Sequence, residues 1–268
     1  MIRLLKIDLL KNLNFRAFLI MVAMYFISLG AITASGMEFL KWLKDKGVEF
    51  DEFNPLRIPI YHFPDIWHNL AYIGTFFKFI LAIVVIISIT NEFSYKTIRQ
   101  NIIDGLDRWD FLMSKVLTIS LLSAAATVFL FFIALITGII YTPSEDMRFL
   151  FKGVGFVGGF FLETFSFLLF ALLIGTLVKR SGFAIGILFL YTLIVEPIAT
   201  FNLSDKLDFL IPYFPVRAMN EVIKVPFPKY IFMEIRDYMS VESIVVLVLY
   251  CALFVYFTYL LLRKRDLQ

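Results

Sequence analysis

Six apolar stretches, at about 17–35, 70–90, 116–141, 154–178, 183–201 and 242–262, leave this chain few folds to choose from. Each reaches or nearly reaches the ~20 residues a helix needs to cross a membrane's hydrocarbon core. Backbone N–H and C=O groups find no water there, so an isolated span of this kind is a helix. Composition agrees: 60% of the 268 residues are hydrophobic and only 18% are charged, with a mean hydropathy of +0.84. Soluble domains carry about a quarter charged residues. The expected fold class is therefore an all-α integral membrane protein of six transmembrane helices, with residues 1–268 as a single transmembrane domain.

The segments between the runs refine this plan. Residues 1–15 place Ile2, Leu5, Leu9 and Leu13 near one side of a helix, with Arg3, Lys11 and Asn12 elsewhere. That pattern predicts an interfacial helix lying on the leaflet. No small-residue cleavage pattern follows the first run, which is expected to stay as a signal anchor. The fourth and fifth runs are separated by Lys179, Arg180 and Ser181 and should form a tight helical hairpin. With the N-terminus inside, the inner segments carry 13 Lys/Arg over 50 residues and the outer ones 11 over 86. This positive-inside bias predicts that both termini are cytosolic, in a plasma (bacterial inner) membrane, with Arg263, Lys264 and Arg265 as a stop anchor. Outside, residues 36–69 hold a charged helix-like piece from Glu38 to Glu49, then Pro55, Pro59 and Pro64. Residues 202–241 mix Pro212, Pro215, Pro226 and Pro228 with aromatics. They are too apolar for a solvated linker, and should fold back on the bundle as short amphipathic or re-entrant helices.

Several chemistries are missing. The lone Cys251 excludes an internal disulfide or a multi-thiolate metal site. His62 and His68, beside Tyr61, Phe63 and Trp67, suit the membrane interface better than a metal. No acid/base dyad, Ser-His-Asp set or HExxH motif is found, so no catalytic, cofactor-binding or metal-ligating residue is assigned. No nucleic-acid partner is expected. Gly153, Gly155 and Gly158 match GxGxxG only formally, because they open a membrane span instead of following a soluble strand. The pairs Gly155/Gly159 and Gly182/Gly186 read as close helix packing, within one chain or between chains.

Three ionisable residues fall inside the spans: Lys78, Glu163 and Glu196. A charge at the bilayer centre is costly, so such residues face protein or water. At ~1.5 Å per residue, Lys78 lies about 12 Å below the outer edge of the second span and Glu163 about 13 Å below that of the fourth. The matched depths suggest an ion pair. Glu196, before Pro197, lies near the outer end of the fifth span, where it could touch substrate or an outer gate. All three also admit a purely structural role.

The loop 91–115, NEFSYKTIRQNIIDGLDRWDFLMSK, carries the most information. Phe93, Ile98, Ile102 and Ile103 can line one side of a short helix. Gly105 sits where a helix commonly ends in a left-handed turn. Asp107 should cap the next helix, with Asp110 in a capping-box-like position. Glu92, Lys96-Thr97, Arg99, Gly105, Arg108 and Lys115, directly after the second span, resemble the loop of ABC-2-type transporter permeases. In that family an acidic residue ends the second span, a Gly/Lys-Thr pair follows, and an arginine and a "sR…K" elbow come next. Here Lys96 replaces the glycine and Asp107 the usual Ser/Thr. The layout is also similar: an N-terminal interfacial helix, six spans, cytosolic termini and a folded outer segment between spans five and six.

The resemblance implies a membrane subunit of an ABC exporter, working as a homodimer or as a heterodimer with a second permease. The loop would be a cytosolic coupling helix seated in an ATP-binding subunit, with Glu92, Lys96, Thr97, Arg99, Gly105, Arg108 and Lys115 as coupling residues. No GxxxxGK[ST] sequence occurs, so ATP hydrolysis is expected in a separate chain. The loop lacks an importer-type EAA pattern. The substrate would be amphipathic or of another, unidentified kind. A membrane-embedded enzyme and a non-transporting scaffold or sensory subunit are the alternatives.

Overall fold

Helices account for the fold because nearly every long segment must satisfy its backbone internally. A computed structural model describes residues 2–46, 59–103, 105–203, 207–231 and 238–264, and no strand occurs among them. Glu49, Pro55 and Arg265 lie outside the described residues. Among the described residues, five helices are long and apolar enough to cross a membrane: Arg16–Phe39 within α2 (Arg16–Asp45), α6 (Arg108–Tyr141), α7 (Gly155–Val178), the run Ser181–Leu203, and α11 (Val241–Lys264). The chain is a multi-pass helical membrane protein.

The stretch expected as a second span at 70–90 differs from expectation. It is a pair of helices, α3 (Ile66–Thr75) and α4 (Lys78–Ser94), that are long and apolar enough to cross only together and meet at 42°. At the joint the α-ladder gives way to three-residue bonds, Phe76 N–H to Ile73 O at 3.3 Å and Phe77 N–H to Gly74 O at 3.1 Å. The run Ser181–Leu203 is also interrupted. It comprises α8 (Ser181–Leu190), a π-helical turn at Tyr191–Val195, and α9 (Glu196–Leu203).

Helix α7 forms the hub. Two thirds of its central window is buried, against less than a third in the other spans. It packs on α3, α4, α6 and α11. Phe160, Phe167 and Leu168 fill the core around it, while Val128, Phe132 and Ile136 of α6 and Val245, Leu249 and Leu253 of α11 face outward. Exposed apolar faces of this kind suit lipid. Five buried threonine hydroxyls on the spans are satisfied locally: Thr33, Thr90, Thr137, Thr176 and Thr258 each donate to the carbonyl four residues back.

Residues 207–231 do fold back on the bundle. Their short helix α10 (Pro215–Asn220) and the turn after it bury Ala218, Met219, Val222 and Ile223. The Gly155/Gly159 pair serves this contact: Met239 and Val222 lie where a Cβ on Gly159 would project. Gly182 and Gly186 have nothing within 4 Å of that position. The hairpin between α7 and α8 turns on Lys179, whose backbone is left-handed at φ +61°.

Candidate functional site

Helix α1 (Ile2–Leu13), the start of α2, the C-terminal end of α4, the short helix α5 (Thr97–Ile103) and the start of α6 meet at one end of the bundle. The sequence pattern set Leu13 on the apolar side of α1 and Asn12 off it; in the structure Asn12 is buried, with Asp8, while Leu13 is exposed, because α1 packs on α6 and meets charge there. Lys115 of α6 pairs with Asp8, and lies 3.0 Å from Glu92 Oε1. Lys11 Nζ is 2.7 Å from Glu92 Oε2, and the Thr97 hydroxyl donates to the same carboxylate. The Thr118 hydroxyl donates to Asp8 Oδ2 at 2.6 Å. Every carboxylate oxygen of Asp8 and Glu92 thus has a partner. Two acids and two lysines cancel, so charges that would be costly alone are neutralised together. Two coupling residues expected from the loop, Glu92 and Lys115, are only 3% and 4% exposed. They touch this network and not a surface.

The loop's surface belongs to other residues. Tyr95 and Ile103 are 71% and 74% exposed. Ile98 and Ile102, four apart, face the core, whereas Ile103 stands about 100° further round the helix and leaves the apolar line expected of it. Lys96 is exposed and left-handed at φ +55°. Gly105 has φ +91°, a backbone that favours glycine, and its N–H bonds Ile102 O at 3.0 Å. The side chain of Arg99 lies outside the described residues. Arg108 Nη1 donates to Arg263 O at 2.5 Å, which joins the elbow to the end of α11. Asp107 holds the N-cap position of α6 in extended backbone, but its side chain makes no capping bond. The expected capping box with Asp110 is therefore not formed. Because the Asp107 side chain is exposed, water can satisfy its carboxylate instead.

A second charged cluster lies where the helices are irregular. Lys78, the first residue of α4 after the 42° joint, is 2.6 Å from Glu163 Oε1 of α7 and 3.1 Å from Asn220 Oδ1 of α10. Both charged side chains are buried. Glu163 Oε2 is buried with no hydrogen-bond partner among the described residues. The pair borders a cavity of about 640 Å³, which also touches Thr192 and Leu193 of the π-turn and α10. Glu196, placed directly after that turn, accepts from the Val216 N–H at 3.0 Å and the Arg217 N–H at 2.6 Å. It holds the N-terminal turn of α10, whose orphan N–H groups need acceptors. The three charges expected inside the membrane are thus a pair and a helix anchor. The residues lining the cavity include Phe76 at the helix break and Thr192 and Leu193 of the π-turn, and irregular helix of this kind is frequent at functional sites.

The model of a family described as "protein of unknown function (DUF2705)" matches residues 52–268. The chain belongs to the DUF2705 family. No curated protein matches it. The stretch matched to the DUF2705 model includes the loop, the cavity and Glu92 and Lys115; Asp8 and Lys11 precede it.

Three participants in this DUF2705 protein escaped sequence reading. Asp8 has no part in the pattern read for residues 1–15, and its partner Lys115 is 107 positions away. Asn220 and Arg217 sat in a proline-broken loop; Pro215 at the first position of α10 was the one local signal of a helix start. His68 stacks on Phe156 at 4.0 Å and meets Lys224 O at 2.8 Å. No group of three or more potential metal ligands occurs among the described residues.

Proposed function

We propose that this protein is the membrane-spanning permease subunit of an ATP-driven exporter, with six spans if α3 and α4 together make one. It moves an amphipathic substrate and draws on a separate ATP-binding subunit. It sits in the plasma (bacterial inner) membrane with both termini cytoplasmic, as a homodimer or paired with a second permease. The observation that carries this reading is the loop from Tyr95 to Arg108. A short helix offers Tyr95, Lys96 and Ile103 outward, while its root is locked by the neutral network of Glu92, Lys11, Lys115 and Asp8. A stiff, braced helix transmits rigid-body motion better than a slack loop. Lys96 adds support. The ABC-2 pattern has glycine there, and Lys96 adopts a left-handed backbone that glycine takes readily. Glu92, Thr97 and Lys115 then act as positioning residues, and the exposed face makes the contact.

Co-expression with each Walker-bearing ATPase encoded in neighbouring reading frames tests the reading. The two chains should co-purify with ATPase activity. Ile103→Asp should abolish the complex without moving the permease's own melting midpoint. Failure to associate in several detergents and in nanodiscs would remove the proposal's basis.

A further inference from the structure

The residues that line the cavity carry one more cation than acids, while Glu196, outside the lining, is engaged by the Val216 and Arg217 N–H groups. Lys78, Arg217 and Lys224 face it with Glu163 and Glu221. Both acids are already matched, Glu163 by Lys78 at 2.6 Å and Glu221 by Lys224 at 2.8 Å. Arg217 has no ion-pair partner among the described residues. Its backbone N–H is held by Glu196, so the residue's place is fixed while its guanidinium stays uncommitted. Asn220 stands three residues on, on the same side of α10. Its Oδ1 accepts from Lys78, which leaves its NH₂ group to donate. Two donors thus line the cavity, with the aromatic and aliphatic side chains of Tyr72, Phe76, Phe79 and Leu193. Phe76, at the helix break, is 61% exposed even though it is large and apolar. An uncommitted guanidinium beside apolar side chains suits an amphiphile with an anionic head. A guanidinium binds a carboxylate or phosphate through paired N–H donors.

We propose that this cavity binds an amphiphile with an anionic oxygen head group, carboxylate or phosphate. The head rests on Arg217 and Asn220, and the chain lies along Tyr72, Phe76, Phe79 and Leu193. The Lys78–Glu163 pair forms the floor and keeps a second full charge from competing for the head. This deepens the exporter reading by naming its substrate class, and rests on that reading only for the step from ligand to substrate. Binding itself requires no ATPase.

The test uses the full chain purified alone in dodecyl maltoside, so its failure leaves the ATPase complex untouched as a separate result. Dodecyl phosphate, dodecyltrimethylammonium and inorganic phosphate are titrated by calorimetry, with native mass spectrometry for stoichiometry. Dodecyl phosphate should bind saturably, one per chain. Arg217→Gln should weaken it about tenfold or more, the loss of a charge-assisted contact, with the melting midpoint unchanged because the side chain is exposed and the backbone bond to Glu196 remains. Leu193→Trp, which adds bulk to the apolar lining, should weaken it as well. A second arm places the chain in phosphatidylcholine nanodiscs with or without phosphatidic acid. Retention of phosphatidic acid assigns the head to a membrane lipid; binding of dodecyl phosphate alone assigns it to a single-chain amphiphile, and either supports the site. Equal affinity for the cationic amphiphile, tight binding of inorganic phosphate alone, or indifference to Arg217→Gln would overturn it.

Discussion

Helix α4 carries a charged residue near each end, and the bundle treats the two differently. Glu92, near its last turn, enters a four-charge network in which both oxygens of both acids are met. Lys78, at its first residue, meets Glu163 through one oxygen, while the other oxygen is buried without a partner and the pair borders a cavity. The first cluster is closed and ties four elements together. The second is open on one side, and its neighbours are a helix break, a π-turn and a short returned helix. A closed network spends its charges on holding a shape; an open one keeps interactions in reserve for something that arrives.

Breaking the closed network should cost the most. Lys115→Met leaves Asp8 and Glu92 facing each other in a buried site, and stranding buried charge costs about 3–5 kcal/mol. The expected result is loss of monodisperse protein on detergent size-exclusion, with partial recovery when Asp8→Asn is added. A variant as stable as the parent would show that the network braces nothing. The open pair should behave otherwise. Glu163→Gln strands Lys78 and should lower the melting midpoint by about 2 kcal/mol equivalent or more, whereas the double variant Lys78→Met with Glu163→Leu should regain most of that loss, because an apolar pair can replace a buried ion pair. If the double variant is the worst of the three, the pair is a structural clamp like the first and the contrast collapses. The smallest effect concerns the loop surface. Lys96→Gly should raise stability by up to about 1 kcal/mol by relieving a left-handed non-glycine residue, partly offset by the greater chain entropy of glycine. Differential scanning fluorimetry can read its sign.

Much of this was legible in the sequence, and the illegible part has a common cause. The apolar runs located the long helices, because span length is set by the bilayer and needs no partner. Gly105 marked its turn, since positive φ is a local demand. The equal depths of Lys78 and Glu163 came from counting along two helices. By contrast, the joint at Phe76–Phe77 lies inside a run long enough to read as one span, with Lys78 the charge next to it, and involves no proline. Asp8 and Lys115 are each ordinary in their own segments and become a pair only when α1 packs on α6. The amphipathic reading of α1 assumed that water or headgroups lay on its polar side, when a set of complementary charges did. Local signals report local constraints; the charge networks were decided by packing between distant segments.

Helix α6 has a mechanical consequence. Its 34 residues form one unbroken rod, about 51 Å long at 1.5 Å per residue. One end begins at the Gly105 elbow. Near the other, Gly138 lies so close under the Phe63 ring that an added Cβ would stand 2.4 Å from it, and Thr142 accepts from the Phe63 N–H at 3.0 Å. Such a rod behaves as a lever arm with its fulcrum in the bundle. A tilt of about 5° moves one tip by about 4 Å relative to the other. Displacement applied at the elbow would arrive on the opposite side at Phe63 and the aromatic residues packed round it, a distance that no side-chain relay has to cover.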